Sequence, residues 1–233
     1  MQKLTVDEVR DRPAYSIGEA ARYVHMNEMT LQTWALGRDY PTSTGDKRWP
    51  PLFKIADRRA RRLSFINLVE ANVLAALRRQ HQLAVPKIRT ALDYVRDRLG
   101  VARPLCDEQF ETNGVDLFVQ RYGELINASR AGQLALQETL LAALRRIERE
   151  HPSGVPIRLY AANPKDDGRS RFVAFDPVIA FGRPALVGSG APVAAIHERF
   201  RAGDSVGDLA RDYGVEREAI EEGIRQAELL KAA

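Results

Sequence analysis

Near the start of the chain, apolar residues recur at helical spacing. Four of them share one predicted helix face at i, i+3, i+4 and i+7, namely Ile17, Ala20, Ala21 and Val24. After a turn at His25-Met26, Asn27 can cap a second helix whose Leu31 and Trp34 point inward. Two short helices joined by a tight turn predict a helix-turn-helix.

The pattern changes after the second helix. Gly37, Pro41 and Gly45 interrupt helical spacing, so we expect a loop or hairpin that continues through Pro50-Pro51 and residues 52–55. Ser64 is then placed to cap a strongly apolar helix from Phe65 to about Gln80.

The middle of the chain reads as two helices, a hairpin and a strand. Pro86 opens a helix that Gly100 ends. Residues 105–122 predict a hairpin around Asn113-Gly114, a type I′ turn signal. A helix over Gln133–Glu150, a strand over Ile157–Ala161 and a polar linker over Asn163–Ser170 follow. These apolar faces suit a dimer interface and an extended core equally well.

Turns and short helices are predicted for the last third. The glycine-rich stretch Gly182–Gly190 predicts tight turning, because the Lys-Ser/Thr pair of a phosphate loop does not follow it. Pro192 starts a helix through Phe200, and Ser205 has capping-box spacing to Asp208. Gly214 then turns the chain into a last helix.

These elements predict a mainly α fold with short β hairpins. We divide it into a winged helix-turn-helix domain over residues 1–83, a middle helix and hairpin region over 84–170, and a C-terminal three-helix, helix-turn-helix-like domain over 171–233.

Charge distinguishes the two ends of the chain. The formal net charge is +4, yet residues 38–62 alone hold eight Lys/Arg against three Asp, a net of +5. The last helix, from Glu216 to Glu228, holds five Glu against two Arg, a net of −3. Because phosphate neutralisation dominates DNA affinity, the basic end suits DNA and the acidic helix suits a protein partner.

Composition argues against several other classes of protein. No apolar run approaches the roughly 20 residues of a membrane span, and the first residues lack signal-peptide character, so we expect a cytoplasmic protein. The single Cys106 fits a part-buried structural thiol better than a nucleophile. The four histidines are far apart and show no metal or catalytic spacing, so no enzyme activity, cofactor or metal is expected.

The N-terminal motifs resemble the MerR-type winged helix family. The matching stretches are YSIGEAA at 15–21, MTLQTW at 29–34 and RRLSFINLV at 61–69. The resemblance implies that recognition-helix residues face the major groove, namely Asn27, Thr30, Gln32 and Thr33. It places Arg59, Arg61 and Arg62 on a wing, and Arg38 and Arg58 of the same basic segment complete the candidate DNA contacts. Met29 and Gln32 depart from the family, in which arginines are common there.

The C-terminal motifs resemble the DUF433 family of uncharacterised domains. The matches are Asp176-Pro177, Gly182-Arg183-Pro184, Gly188–Pro192, Ala202–Ser205 and Leu209–Tyr213. Two departures are Phe181, where a second glycine is common, and Gly190-Ala191, where Thr-Arg is usual.

Together the two resemblances imply a VapB-type antitoxin of a bacterial toxin–antitoxin pair. Such a protein would inhibit a PIN-domain ribonuclease toxin, bind operator DNA to repress the shared operon, and form a homodimer and a toxin–antitoxin hetero-oligomer. Candidate toxin contacts are the C-terminal arginines Arg183, Arg199, Arg201, Arg211, Arg217 and Arg225, since guanidinium groups pair well with an acidic metal site. The alternative is a stand-alone regulator whose C-terminal domain dimerises or senses a ligand.

Overall fold

A computed structural model describes residues 6–43, 45–81, 85–162 and 170–232. The fold is mainly helical with short antiparallel strands, as the sequence predicts. The N-terminal elements are α1 (Val6–Asp11), β1 (Tyr15–Ser16), α2 (Ile17–Tyr23), α3 (Glu28–Leu36), β2 (Arg38–Thr42), β3 (Gly45–Trp49), β4 (Arg62–Leu63) and α4 (Phe65–His81).

Local capping explains where α2 and α3 begin. The Ser16 hydroxyl accepts a hydrogen bond from the Glu19 backbone N–H, and the Glu19 carboxylate accepts one from the Ser16 N–H, which is a complete capping box. The Asn27 side chain accepts from the Thr30 N–H and caps α3. The predicted helix-turn-helix is therefore confirmed, with its apolar residues in the core.

The central helix α4 is buried on all sides over most of its length, and the polar residues Asn67, Glu70 and Asn72 are buried along with its apolar ones. At its start, the Ser64 hydroxyl accepts from the Asn67 N–H, which confirms the predicted cap. The Asn67 amide also donates to the Lys54 carbonyl and to the Glu70 carboxylate. This network fixes the segment that enters α4.

Three helices form the middle of the chain: α5 (Val85–Leu99), α6 (Val115–Ile126) and α7 (Arg130–Leu144). Gly100 follows α5 at φ 67°, as predicted for a helix end. The apolar faces of α5 and α7 are buried within this single chain, with Ile88, Leu92, Leu140 and Leu144 at 2% exposure or less. This burial favours the core interpretation of these faces, and dimerisation through them remains a prediction.

The predicted hairpin over residues 105–122 is wrong. A 3-10 turn (Pro104–Cys106) and a wide helical turn (Phe110–Gly114) lead directly into α6. Phe110, Phe118 and Tyr122 lie on one buried helical face, so burial of these rings outweighs the local Asn113-Gly114 turn signal. Gly114 serves close packing instead, because a Cβ there would lie 2.8 Å from the Phe110 ring.

The predicted helix over Gln133–Glu150 is wrong at both ends. It begins at Arg130, capped by Ser129, and stops at Leu144. The chain then enters a four-stranded antiparallel sheet in the order β5 (Ile147–Arg149), β6 (Pro156–Tyr160), β7 (Val173–Phe175) and β8 (Pro184–Leu186). The β6 strand matches the predicted strand to within one residue at each end, and nearly all of the predicted polar linker, residues 163–169, lies outside the described residues.

Three helices complete the fold: α8 (Val193–Arg201), α9 (Val206–Tyr213) and α10 (Arg217–Ala232). Ser205 caps α9 by accepting from the Asp208 N–H, and Gly214 turns the chain at φ 64°, as predicted. The C-terminal elements pack against the helix-turn-helix, where the Tyr23 and Phe175 rings lie 4.9 Å apart. One buried apolar cluster runs from Tyr15 to Ala227.

Candidate functional site

The outward face of α3 presents polar groups. Leu31, Trp34 and Ala35 are buried and Leu36 packs against the core, so the polar positions of the helix lie on its other side. Asn27 is exposed, and its side-chain oxygen is engaged as the helix cap. Gln32 is half-buried, and its side chain makes no hydrogen bond within the described chain. Its amide is therefore available to a ligand.

The two threonines on α3 differ in their availability. Thr33 donates its hydroxyl to the Met29 carbonyl at 2.9 Å, so that hydroxyl is partly committed to the helix. Thr30 is half-buried, and only its backbone N–H takes part in the cap. Met29 is 66% exposed on the same helix, beside these polar groups.

The hairpin and the arginines that the resemblance places on a wing belong to separate elements of the structure. The hairpin is formed by β2 and β3, from Arg38 to Trp49, and the stretch 50–55 is a loop. Arg59 and Arg61 lie after it, in a tight turn closed by the Asp57–Arg62 bridge. The basic run lies beyond the hairpin because the segment at Pro50-Pro51 leaves the sheet.

Two arginines hold the end of α3. Arg48 and Arg58 both donate to the Leu36 carbonyl, at 2.9 and 3.0 Å, and Arg48 also pairs with Asp39. Guanidinium groups at a helix C-terminus satisfy its last carbonyls and complement its dipole. Arg58, a predicted DNA contact, thus has a structural role. Arg48 was missed because the 12-residue separation from Leu36 carries no local signal.

The side chains of the other candidate arginines are either hydrogen-bonded within the chain or without a partner among the described residues. Arg62 donates to the Ala14 carbonyl at 3.1 Å. The side chains of Arg38, Arg59 and Arg61 are exposed and form no hydrogen bond or ion pair with any described residue. These three guanidinium groups are free to meet phosphate.

Arginines elsewhere in the chain hold the loop between the hairpin and α4. Arg89 of α5 donates to the Pro50 and Pro51 carbonyls. Arg103 donates to the Lys54 carbonyl and pairs with the buried carboxylate of Glu70. Burial raises the pKa of Glu70, and Arg103 opposes that rise. No local sequence signal marks these long-range contacts.

Three of the six C-terminal candidate arginines form ion pairs within the described chain and three do not. Arg199 bridges Asp204 and Asp212 at 2.6 Å each, while Arg211 pairs with Asp208 and Arg225 with Glu222. The other three, Arg183, Arg201 and Arg217, are exposed and make no such contact with the rest of the described chain.

The acidic last helix is part core and part surface. Glu222 is 3% exposed and accepts from the Gln226 amide at 2.8 Å. Four other glutamates of this helix region face solvent: Glu216, Glu218, Glu221 and Glu228. Arg217 and Lys231 are exposed on the same segment, so the surface of residues 216–232 carries an excess of two negative charges.

Groups that could carry chemistry are few in the described chain. Cys106 is buried, its thiol lies 3.4 Å from the Ile66 carbonyl, and burial raises its pKa. No group of three or more His, Cys, Asp or Glu residues is arranged to hold a metal in the part of the chain that the structure describes. Likewise, none of the described helices is long and apolar enough to cross a membrane.

Two family models match this chain, one towards each end. Residues 13–92 match a family described as a putative DNA-binding HTH domain, and residues 173–225 match the protein family of unknown function DUF433. The chain thus combines an N-terminal helix-turn-helix domain of a DNA-binding type with a C-terminal DUF433 domain.

Two proteins of Mycobacterium tuberculosis (strain ATCC 25618 / H37Rv) are similar over nearly their whole length. One, named "Putative antitoxin VapB45", is 28% identical over 92% of this chain and 93% of its own. The other, "Uncharacterized protein Rv2308", is 24% identical over 95% and 92%. The crystal structure of Rv2018 from the same species covers 91% of this chain and 98% of its own, with a TM-score of 0.65 at 24% identity, which shows a shared fold.

Proposed function

We propose that this protein is the antitoxin of a bacterial type II toxin–antitoxin system, which inhibits a PIN-domain ribonuclease and represses its own operon. The observation that carries the proposal is the opposite charge of the two matched domains. Residues 13–92 hold 13 Lys/Arg against six Asp/Glu, a net of +7. Residues 173–225 hold six against nine, a net of −3. A relative that bears the name antitoxin supports the same function.

The basic domain would bind the operator. Asn27, Thr30, Gln32 and Thr33 would face the bases from α3, since recognition helices read base edges in the major groove. The arginines Arg38, Arg58, Arg59, Arg61 and Arg62 would neutralise phosphates, with the free Arg38, Arg59 and Arg61 contributing most. A homodimer would present two such helices to a palindromic operator and repress transcription.

The DUF433 domain would bind the toxin. A PIN-domain ribonuclease carries acidic side chains that hold a divalent metal, and guanidinium groups pair with such carboxylates. Among the candidates, the free Arg183, Arg201 and Arg217 are better supported than the three arginines that already form ion pairs. The acidic outer face of α10 would keep this end of the antitoxin off DNA.

Co-purification tests the proposal directly. The tagged chain, expressed from its native operon, should elute with a small ribonuclease in fixed proportion, and the ribonuclease should become active once the two are separated. A chain that elutes alone from cells that make the neighbouring gene products would contradict the antitoxin function.

A stand-alone regulator that senses a ligand is the second candidate. An open cavity of about 880 Å³ lies between the loop before α4 and helix α5, with Leu52, Phe53 and Leu92 on its walls. Arg58, which caps α3, also lines it, so a ligand there would reach the recognition helix. This candidate predicts operator affinity that changes with a small molecule and is indifferent to any co-expressed protein.

A further inference from the structure

One turn of the DUF433 domain has a left-handed backbone over three consecutive residues. Ala180, Phe181 and Gly182 have φ values of 49°, 56° and 76°. Two i to i+3 hydrogen bonds close the turn, from the Gly182 N–H to the Ile179 carbonyl and from the Arg183 N–H to the Ala180 carbonyl. For the two non-glycine residues this conformation is unfavourable, because Cβ approaches the following carbonyl oxygen.

The turn presents an aromatic side chain to solvent. Phe181 is 92% exposed, whereas no other phenylalanine of the chain exceeds the 38% of Phe200. Val178, three residues earlier, is 61% exposed. An unfavourable backbone that also exposes a large apolar ring stabilises neither the turn nor the core. Such outliers are a ground for a functional hypothesis.

The surrounding structure holds this turn in place. The buried Tyr15 hydroxyl donates to the Gly182 carbonyl at 2.9 Å. A Cβ on Gly182 would lie 2.2 Å from that hydroxyl oxygen, so the two segments are in close contact. On the other side, the Asp176 carboxylate accepts from the Val178 N–H and pairs with Arg158. Phe181 is therefore displayed from a braced turn.

A positive side chain follows the exposed ring closely along the chain, since Arg183 lies two residues after Phe181. Burial raises the pKa of the Tyr23 hydroxyl, and both Arg183 and Arg22 oppose that rise. Both are exposed, and neither forms an ion pair within the described chain. Aromatic residues and arginine are enriched at the buried centres of protein interfaces.

We propose that Phe181 inserts into an apolar pocket of the toxin whose rim carries a carboxylate that meets Arg183. This contact rests on the proposed function and gives it a specific anchor. Charge favours a protein over DNA as the occupant, because residues 173–225 have a net charge of −3 and the outer face of α10 is acidic.

The backbone conformation offers a sharp test. Phe181→Gly removes the ring and places at this position the residue that adopts positive φ without strain, so the variant should unfold at the same or a higher temperature. Phe181→Asn, which also tolerates this conformation, controls for added flexibility. Phe200→Ala is the matched control, since it removes the other partly exposed phenylalanine of the same domain.

The readout is the affinity of each full-length variant for the co-purified ribonuclease, measured by calorimetry, with operator affinity and oligomeric state measured alongside. Both Phe181 variants should bind the ribonuclease about thirtyfold or more weakly, the scale of an interface hot spot, while Phe200→Ala binds as the wild type does. Unchanged ribonuclease affinity would overturn the contact and leave the antitoxin function standing. Loss of operator binding or of self-association alone would assign the ring to DNA or to a second copy and also overturn it. A wild-type chain that binds no ribonuclease would remove both proposals.

Discussion

The two free arginines of the turn after the hairpin should account for a defined share of the salt dependence of operator binding. Arg59 and Arg61 are exposed and have no partner in the described chain, so changing both to glutamine removes charge without breaking an internal contact. Arg61 has φ 52°, and glutamine keeps the same Cβ constraint, so the backbone strain is unchanged.

The expected magnitude follows from counterion release. Each phosphate contact contributes about 0.9 to the slope of log K against log salt, so two lost contacts lower the slope by about 1.8. Between about 50 and about 200 mM salt, the wild type should lose roughly tenfold more affinity than the double variant. Fluorescence anisotropy on a labelled operator over that salt range measures both quantities.

A matched control separates contact from overall charge. Arg201→Gln removes an equally free arginine from the DUF433 domain and should leave the slope unchanged. An unaltered slope in the Arg59/Arg61 variant, or an equal loss per arginine in the control, would refute the assignment of these arginines to phosphate.

Other predictions concern stability and reactivity. Tyr15→Phe leaves the Gly182 carbonyl without its buried donor and should lower the free energy of unfolding by about 1–3 kcal/mol, seen as a lower urea midpoint at constant m. Gly182→Ala should lower the free energy of unfolding further, because its Cβ would collide with that hydroxyl. In the Tyr15→Phe background the same change should cost less than it does alone. Strictly additive losses in urea would argue against the contact. Ser205→Ala removes the cap of α9 and should lower the free energy of unfolding by about 1 kcal/mol, whereas an unchanged thermal midpoint would deny the cap a role. Because burial raises the pKa of the Cys106 thiol, it should stay protonated and unreactive to thiol reagents at pH 8 until the protein unfolds; rapid labelling of the native protein would contradict this.

Local signals account for the parts of the fold that the sequence predicts well. Ser16 with Glu19, Asn27, Ser64 and Ser205 each satisfy backbone groups within three residues, so the helix starts can be located without tertiary information. In the last third, α9 follows for the same reason, whereas α8 begins after Pro192 without a side-chain cap.

Long-range packing accounts for the failures. At Asn113-Gly114 a strong turn signal was overridden by burial of Phe110 and Phe118 on a helical face. The helix predicted up to Glu150 ends early because Ile147 pairs with Leu159 in the sheet. Neither contact is visible in a short window of sequence.

Only part of the candidate DNA-binding site can be predicted from the sequence. The basic segment is evident from the sequence, but which arginine is free depends on distant carbonyls such as that of Leu36, 22 residues before Arg58. For the exposed aromatic ring, the sequence held one clue, since Phe181 stands where the DUF433 resemblance favours a glycine. That departure is consistent with the left-handed backbone found there.

Inhibition of the co-purified ribonuclease by the full-length chain, measured with operator DNA in the same assay, separates an antitoxin from a DNA-binding regulator. RNA cleavage should fall to zero at a fixed ratio of chain to ribonuclease while the operator stays bound, because opposite ends of the charge distribution engage the two partners. Undiminished cleavage at excess chain, with the operator fully bound, would contradict the antitoxin function and leave a DNA-binding regulator.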